Sequence, residues 1–414
     1  MTNPRSNPTP SKINVQSIDE AAKKFGNAIR KTPLIRSLRF EETFGFKHPV
    51  YFKAENLQHT GSFKVRGALN KILSIQDKAR KNGVITASAG NHAQGVAYHC
   101  QRLNISATIV MPENTPSVKS NSTRRMGAKV IFHGASYQEA FEEALKIQKA
   151  EGSEYVHAFD DEDVMIGQGT VGKEIWDELP EVEVFVCPVG GGGLFAGAGI
   201  YLREKNSRIK IVALQAEGAS SFLPSLEAGR PVVLGKVDTI AEGIAVKKMG
   251  DLNFEICKKI VGETIVVNDD EIAAGLLWIL ENEKLFVEGC GGAAVAALIK
   301  RPEIVTGPTA VILSGGNLDV NLLSRIIERG LIQTGRRTHF EATIPDVPGS
   351  LQKLIQIIAE QRASIVEVEH ERMFSRNSLK EVNTHLIVET EGFEHIERLK
   401  AALREKGMES RFPS

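Results

Sequence analysis

The sequence predicts an α/β chain: parallel sheets covered by helices on both faces through about residue 330, followed by a small α+β domain of ferredoxin-like plan. Three observations predict it. From Val50 to Glu328, short apolar runs alternate with longer segments of helical period. The runs are largely unbroken, as strands buried on both faces require. From Arg336 the order changes to strand, helix, strand, strand, helix, strand.

Met1 to Pro10 is rich in Asn, Pro, Ser and Thr, has no apolar core of the signal-peptide kind, and reads as a disordered tail reaching residue 12. Ser17-Ile18-Asp19-Glu20 has the form of a capping box and predicts a helix that stops before Lys31-Thr32-Pro33. Val50 to Lys53 is a strand. Pairs of strand and helix follow: Val84 to Ala87 with Ala93 to Leu103, Ala107 to Met111 with Val118 to Met126, and Lys129 to Phe132 with Tyr137 to Glu151. Tyr155 to His157 precedes the helix Val164 to Leu179, and the strands Val182 to Val186 and Ile209 to Leu214 flank the helix Leu194 to Arg203. Thr264 to Val267 leads to Asp269 to Asn282, a glycine-rich helix spans Glu288 to Ile299, and strand Ala310 to Leu313 leads to Asn321 to Glu328. In the last domain Phe340, Ala342 and Ile344 alternate as a strand, Leu351, Leu354, Ile355 and Ile358 stripe a helix, and Ser364 to Glu369 and Val382 to Val388 are strands. Ile396, Leu399 and Leu403 stripe a second helix before the closing strand Met408 to Phe412.

A chain of 414 residues accommodates two or three cores. Its 51 basic residues balance its 51 acidic ones, so no basic field recruits nucleic acid or anionic lipid. No apolar run is long and uncharged enough to span a bilayer. Cys100, Cys187, Cys257 and Cys290 are too scattered for a zinc site or a disulfide scaffold and read as reduced thiols of a cytoplasmic protein. Small molecules and proteins remain as partners.

Four loops carry the candidate chemistry. In Thr60-Gly61-Ser62-Phe63-Lys64-Val65-Arg66-Gly67-Ala68, a lysine stands at the mouth of an apolar-striped helix; partly desolvated, such an amine forms a Schiff base with an aldehyde. Singly, the lysine also reads as a solvated side chain beside a turn. Cys187-Pro188-Val189-Gly190-Gly191-Gly192-Gly193-Leu194 lies between an apolar strand and a helix, where close-approaching amides and a helix N-terminus suit a phosphate. A relaxed dinucleotide fingerprint through Gly191, Gly193 and Ala196, and a plain glycine turn, are the alternatives. Ser88-Ala89-Gly90-Asn91-His92 opens another helix after a strand and suits a carboxylate, although Asn91 also reads as a helix cap and His92 as a structural histidine. Ser314-Gly315-Gly316-Asn317 offers a neutral hydroxyl to a heterocyclic nitrogen, or is a turn. All lie where open α/β sheets bind ligands. Together they match an aldehyde, one phosphate, a ring oxygen, a ring nitrogen and a substrate carboxylate, and pyridoxal phosphate has every cofactor feature in that set.

On Gly61 to Ala68, Ser88 to Gly95, Gly167-Gln168-Gly169-Thr170, the tetraglycine loop and Ser314 to Asn317, the chain resembles fold-type II pyridoxal-phosphate enzymes, and within them the threonine/serine dehydratases. The resemblance implies two parallel-sheet subdomains over residues 13–330, the smaller (about 55–157) inserted in the larger. It implies that Lys64 holds the cofactor and acts as the base. Phe63, Asn91, Gly190, Gly191, Gly192, Gly193, Leu194 and Ser314 would bind the cofactor; Ser88, Ala89, Gly90, Asn91 and His92 would bind L-threonine or L-serine. Ala89, where racemases of this family carry a second serine, implies dehydration without racemisation. Some relatives hold a cation through a glutamate where this chain has Gln215, so no metal-binding residue is assigned. Glu288 stands in a departure from the family's Glu-Pro run and is assigned to helix packing. After a linker at 331–337, residues 338–414 resemble an ACT domain with Asp346, Pro348, Gly349 and Ser350 in an effector loop. That implies allosteric control, with isoleucine as the candidate effector, and a homo-oligomer, dimer or tetramer.

Overall fold

A computed structural model describes residues 12–371 and 380–412; the expected tail, except Lys12, lies outside them. The chain forms two compact units, Met1–Leu318 and Asp319–Ser414.

The strands of the first unit are β1 (Leu34–Arg36), β2 (Val50–Ala54), β3 (Val84–Ala87), β4 (Ala107–Met111), β5 (Lys129–Phe132), β6 (Glu154–Tyr155), β7 (Val184–Pro188), β8 (Lys210–Ala216), β9 (Glu263–Val267) and β10 (Thr309–Leu313). They form two sheets. The larger has the order β1-β2-β10-β7-β8-β9, parallel except for β1, and the smaller is all parallel in the order β5-β4-β3-β6. The smaller sheet falls between β2 and β7 in sequence, so it is inserted in the larger. Every residue of β7 and β10 is buried, which is why their sequences run apolar without alternation.

The first helix, Val15–Phe25, is capped one turn earlier than the sequence suggests. Asn14 is the cap, accepting from Ser17 N at 2.9 Å, while Ser17 Oγ accepts from Asn14 N at 3.1 Å. Ile18, Ala21 and Phe25 form its buried face. The helices Leu38–Phe44, Gln76–Asn82, Phe222–Ala228 and Asp251–Ile260 and the strand β1 were not expected. Three of the four helices are of only seven residues, too short for periodicity to declare them.

A network of buried charge fixes the helix Lys64–Ser74. Arg66, wholly buried, donates from Nε and Nη2 to Glu55 at 2.8 Å each and from Nη1 and Nη2 to Glu174 at 2.7 and 2.9 Å. Lys53 Nζ, equally buried, meets Glu174 at 2.7 Å and the Thr32 carbonyl at 2.6 Å. One guanidinium thus joins the turn after β2, the lysine-bearing helix and the helix Glu162–Glu178.

The second unit contains the helix Val320–Gln333 and an antiparallel sheet of β11 (Arg337–Pro345), β12 (Ser364–Glu371), β13 (Glu381–Glu389) and β14 (Glu409–Arg411), ordered β12-β13-β11-β14. The break read at Gly330 lies inside that first helix, where the glycine is buried, and the residues assigned to a linker at 331–337 are the helix end, a turn at Gly335 and the start of β11. Helices Ser350–Glu360 and Phe393–Glu405 complete a strand-helix-strand-strand-helix-strand plan around Phe340, Ile344, Leu354, Leu386 and Leu399. Asp346, Pro348 and Gly349 lie exposed in the turn after β11, with Gly349 at φ 90°, and Ser350 is buried as the next helix begins. No described helix is long and apolar enough to cross a membrane.

Candidate active site

A cavity of about 710 Å³ opens beyond the C-terminal ends of β3, β7 and β10, the ligand face of open parallel sheets. It brings together Phe63, Lys64, Ser88, Ala89, Gly90, Asn91, His92, Gly190, Gly191, Gly192, Gly193, Leu194 and Ser314. The effector-loop residues belong to the other unit.

Lys64 is the first residue of its helix. Its Nζ donates to the Ala158 carbonyl at 2.8 Å and lies 5.3 and 5.9 Å from the ring centres of Phe63 and Phe159. Desolvation lowers its pKa to about 8, against the opposing pull of the Glu288 carboxylate. The amine is therefore far closer to neutrality than a solvated lysine. The lysine loop is sewn to the Ser314 loop: Phe63 N donates to Ser314 O at 3.3 Å and Gly316 N to Gly61 O at 2.8 Å.

The tetraglycine loop packs too closely for any side chain. A Cβ on Gly191 would lie 2.2 Å from the Phe159 ring, and Gly192 sits at φ 94°. Among the described residues, the amides of Gly190, Gly191 and Gly192 donate to no other turn or loop, and the helix Gly193–Lys205 begins there with its own free N–H groups. This cradle fits a phosphate. The dinucleotide alternative lacks a ribose-binding acid in the cavity: β8 ends in Gln215-Ala216, the Glu217 that follows is exposed and does not line the cavity, and the Gln215 amide is consumed by the Val189 carbonyl at 3.2 Å and by Phe222 N at 3.0 Å.

Asn91 is not the cap of its helix; Gly90 is. Its Nδ2 donates to both oxygens of Glu288 at 3.1 and 3.0 Å, and its Oδ1 accepts from Asn317 Nδ2 at 2.8 Å. His92 is buried, bonds the Val156 carbonyl at 3.0 Å, and is driven to a pKa of about 3 chiefly by desolvation, so it is a neutral structural ring rather than an acid or base. Ser88 Oγ accepts from Gly90 N at 3.2 Å, shaping a turn that lines the cavity.

Glu288 corrects the sequence reading. Its carboxylate is a cavity wall, 8% exposed, and desolvation raises its pKa from 4.5 to about 6 although Asn91 opposes that. Between those two values the folded state holds more proton than the unfolded chain, so stability falls as pH rises through the window and the penalty persists above it. Glu288→Gln is expected to stabilise the cofactor-free protein by about 1–2 kcal/mol near pH 8, the gain vanishing as pH falls towards the carboxylate's unfolded value. Melting temperature measured against pH checks this.

The fold and the cavity define an enzyme that binds an aldehyde-bearing phosphate beside a lysine, the pyridoxal-phosphate type. The chain belongs to the family described as pyridoxal-phosphate dependent enzyme, whose pattern matches residues 26–315. Pyridoxal phosphate is its cofactor. The chain is similar to the L-threonine ammonia-lyase of Thermotoga maritima, 43% identical over 96% of this chain and 99% of the relative. It is also similar to the biosynthetic L-threonine dehydratase of Halalkalibacterium halodurans, 33% identical over 97% and 96%. Among solved structures, threonine deaminase isoform 2 of Solanum lycopersicum superposes with TM-score 0.72 at 33% identity, covering 80% of this chain and 94% of that one. Maize serine racemase gives TM-score 0.72 at 30% identity over 77% and 98%.

Proposed function

We propose that this chain is a threonine ammonia-lyase, converting L-threonine to 2-oxobutanoate and ammonia, with conversion of L-serine to pyruvate as a side activity. The observation that carries it is the meeting of Lys64, the tetraglycine cradle, Ser88 to His92 and Ser314 in one cavity. When bound, pyridoxal phosphate supplies conjugated electron withdrawal that makes the substrate Cα proton acidic. The amides of Gly190 to Leu194 would hold its phosphate, Asn91 its 3-hydroxyl and Ser314, through a neutral hydroxyl, its ring nitrogen. Lys64 would hold the cofactor through its amine at rest, and with substrate bound that amine would be available as a base. The turn from Ser88 to His92 binds the substrate carboxylate and orients Cα. Lys64 Nζ then removes the Cα proton, helped by a pKa near 8 that keeps a neutral amine available. The proton taken from Cα and the β-hydroxyl leave together as one water, and hydrolysis of the resulting enamine consumes one water to yield the keto acid and ammonia.

Ala89 has no hydroxyl to return a proton to the opposite face of Cα, which supports elimination over racemisation. The test is an ammonia and 2-oxobutanoate assay with L-threonine, run beside chiral analysis of L-serine incubations. Release of ammonia without D-serine is expected; D-serine as the main product, or no ammonia, sinks the reading.

The second unit is proposed to be an ACT domain. Its antiparallel sheet with two helices on one face and the exposed turn at Asp346, Pro348 and Gly349, running into Ser350, support this. An amino-acid effector, isoleucine first, binds there between paired copies in a cytoplasmic homo-oligomer, and 2-oxobutanoate enters isoleucine synthesis. Addition of isoleucine is expected to shift the L-threonine concentration giving half-maximal rate, and Ser350→Ala to reduce that shift. An unchanged curve for the unaltered protein at saturating isoleucine removes that effector.

A further inference from the structure

The amides of an anion cradle converge only if the carbonyls of the same segment are held the other way. In this chain a helix without a clear sequence signal, Asp251–Ile260, holds them. Asn253, wholly buried, donates from Nδ2 to the Gly191 carbonyl at 2.6 Å and to the Phe159 carbonyl at 3.1 Å. Gly250 N donates to the same Gly191 oxygen at 3.2 Å, and Cys257 Sγ approaches the Gly192 oxygen at 3.7 Å. The helix is anchored in return, because the Asp160 carboxylate accepts from Asp251 N and Asn253 N, both at 3.1 Å. The segment containing Phe159 and Asp160 also supplies the Ala158 carbonyl that receives the Lys64 amine.

We infer that Asn253 is a positioning residue for the phosphate of the cofactor. Its two-hydrogen amide draws one carbonyl of the cradle and one carbonyl of the 157–160 segment to a single atom, so the cradle amides face the cavity at a fixed distance from Lys64. Asn253 does not line the cavity itself and acts through Gly191. Only an amide nitrogen serves both acceptors from this position: aspartate would present lone pairs to two carbonyls, and leucine fills the volume without a donor. The inference rests on Gly190 to Leu194 being the phosphate site.

Asn253→Leu and Asn253→Ser are tested as cofactor-free proteins, titrated with pyridoxal phosphate and with pyridoxal, which has the aldehyde but no phosphate. In Asn253→Leu, affinity for pyridoxal phosphate is expected to fall at least about tenfold while affinity for pyridoxal stays within about threefold, since the Gly191 carbonyl keeps only the longer bond from Gly250 N and the Phe159 carbonyl loses its side-chain donor, so the two segments are no longer drawn to one atom. Asn253→Ser, keeping one donor, is expected to fall between that variant and the unaltered protein, and it decides by the same ratio if the leucine variant does not fold. Unchanged affinity for pyridoxal phosphate, or an equal loss for both ligands, overturns the inference. An unaltered protein that binds the two equally overturns the cradle itself, which separates the failure of the site from the failure of Asn253.

Discussion

Lys64→Ala is expected to abolish turnover, by about 10³-fold or more, and with it the visible absorbance of the covalently held cofactor. The same variant is expected to fold as well as the unaltered chain, because the lysine amine is a burden on the folded state. Desolvation holds its pKa at about 8 instead of 10.5. Between those values the unfolded chain binds the proton that the folded chain rejects, so stability rises with pH across the window, and below it the full penalty applies. Alanine removes that penalty. The cofactor-free variant should therefore melt no lower than the unaltered protein at neutral pH, and the difference should close as pH is raised towards the unfolded lysine value. Activity assayed beside melting separates the chemical role from a structural one: retained turnover removes Lys64 as the base, and loss of folding removes the account of its pKa. Glu288 enters here as well. Its carboxylate raises the Lys64 pKa, so Glu288→Gln should lower the amine's apparent value below about 8, read from the pH dependence of amine acylation in the cofactor-free protein.

What the sequence made legible was local. Each of the four loops is a short glycine-bearing stretch set against an apolar run, and its chemistry is declared by neighbours in the chain: Lys64 at a helix mouth, four glycines before Leu194, Ser314 at the end of a fully buried strand. Their convergence follows from the parallel sheets, whose C-terminal ends share one face. Glu288 was illegible because its meaning lies in Asn91, 197 residues away, and a lone acid before a small-residue helix carries no local sign of that partner. Asn253 gives still less signal, as an isolated amide on a helix whose buried positions look like ordinary packing. Gly330 misled in the other direction. A glycine shortly before the order of elements changes reads as a boundary, yet Ile326 and Gly330 are buried together and the helix runs through to Gln333.

Arg66, two residues after Lys64 in the same motif, is the residue on which the helix of Lys64 depends. Burial by itself would lower the guanidinium's pKa; Glu55 and Glu174 outweigh that and hold it above its ordinary value. Glu174, which burial would raise, is held below the usual carboxylate range by Arg66 and Lys53. Removing one partner from such a cluster leaves uncompensated buried charge, so Arg66→Met is expected to cost about 3–5 kcal/mol, seen as a lower urea midpoint with the slope unchanged. Lysine does not rescue it, since one ammonium cannot make paired bonds to two carboxylates at once. The loss should depend on pH with a definite sign. The paired carboxylate Glu174 contributes stability above its unfolded pKa that disappears as pH falls, whereas carboxylates deprived of Arg66 are penalised above that pKa and relieved by protonation below it. The gap between the two proteins is therefore widest near neutrality and narrows in acid. Adding Glu55→Gln to Arg66→Met should recover part of the loss at neutral pH by removing the charge left most deeply buried. A single variant as stable as the unaltered chain, or a double variant less stable than the single, would show that the helix carrying Lys64 is held by its apolar face alone.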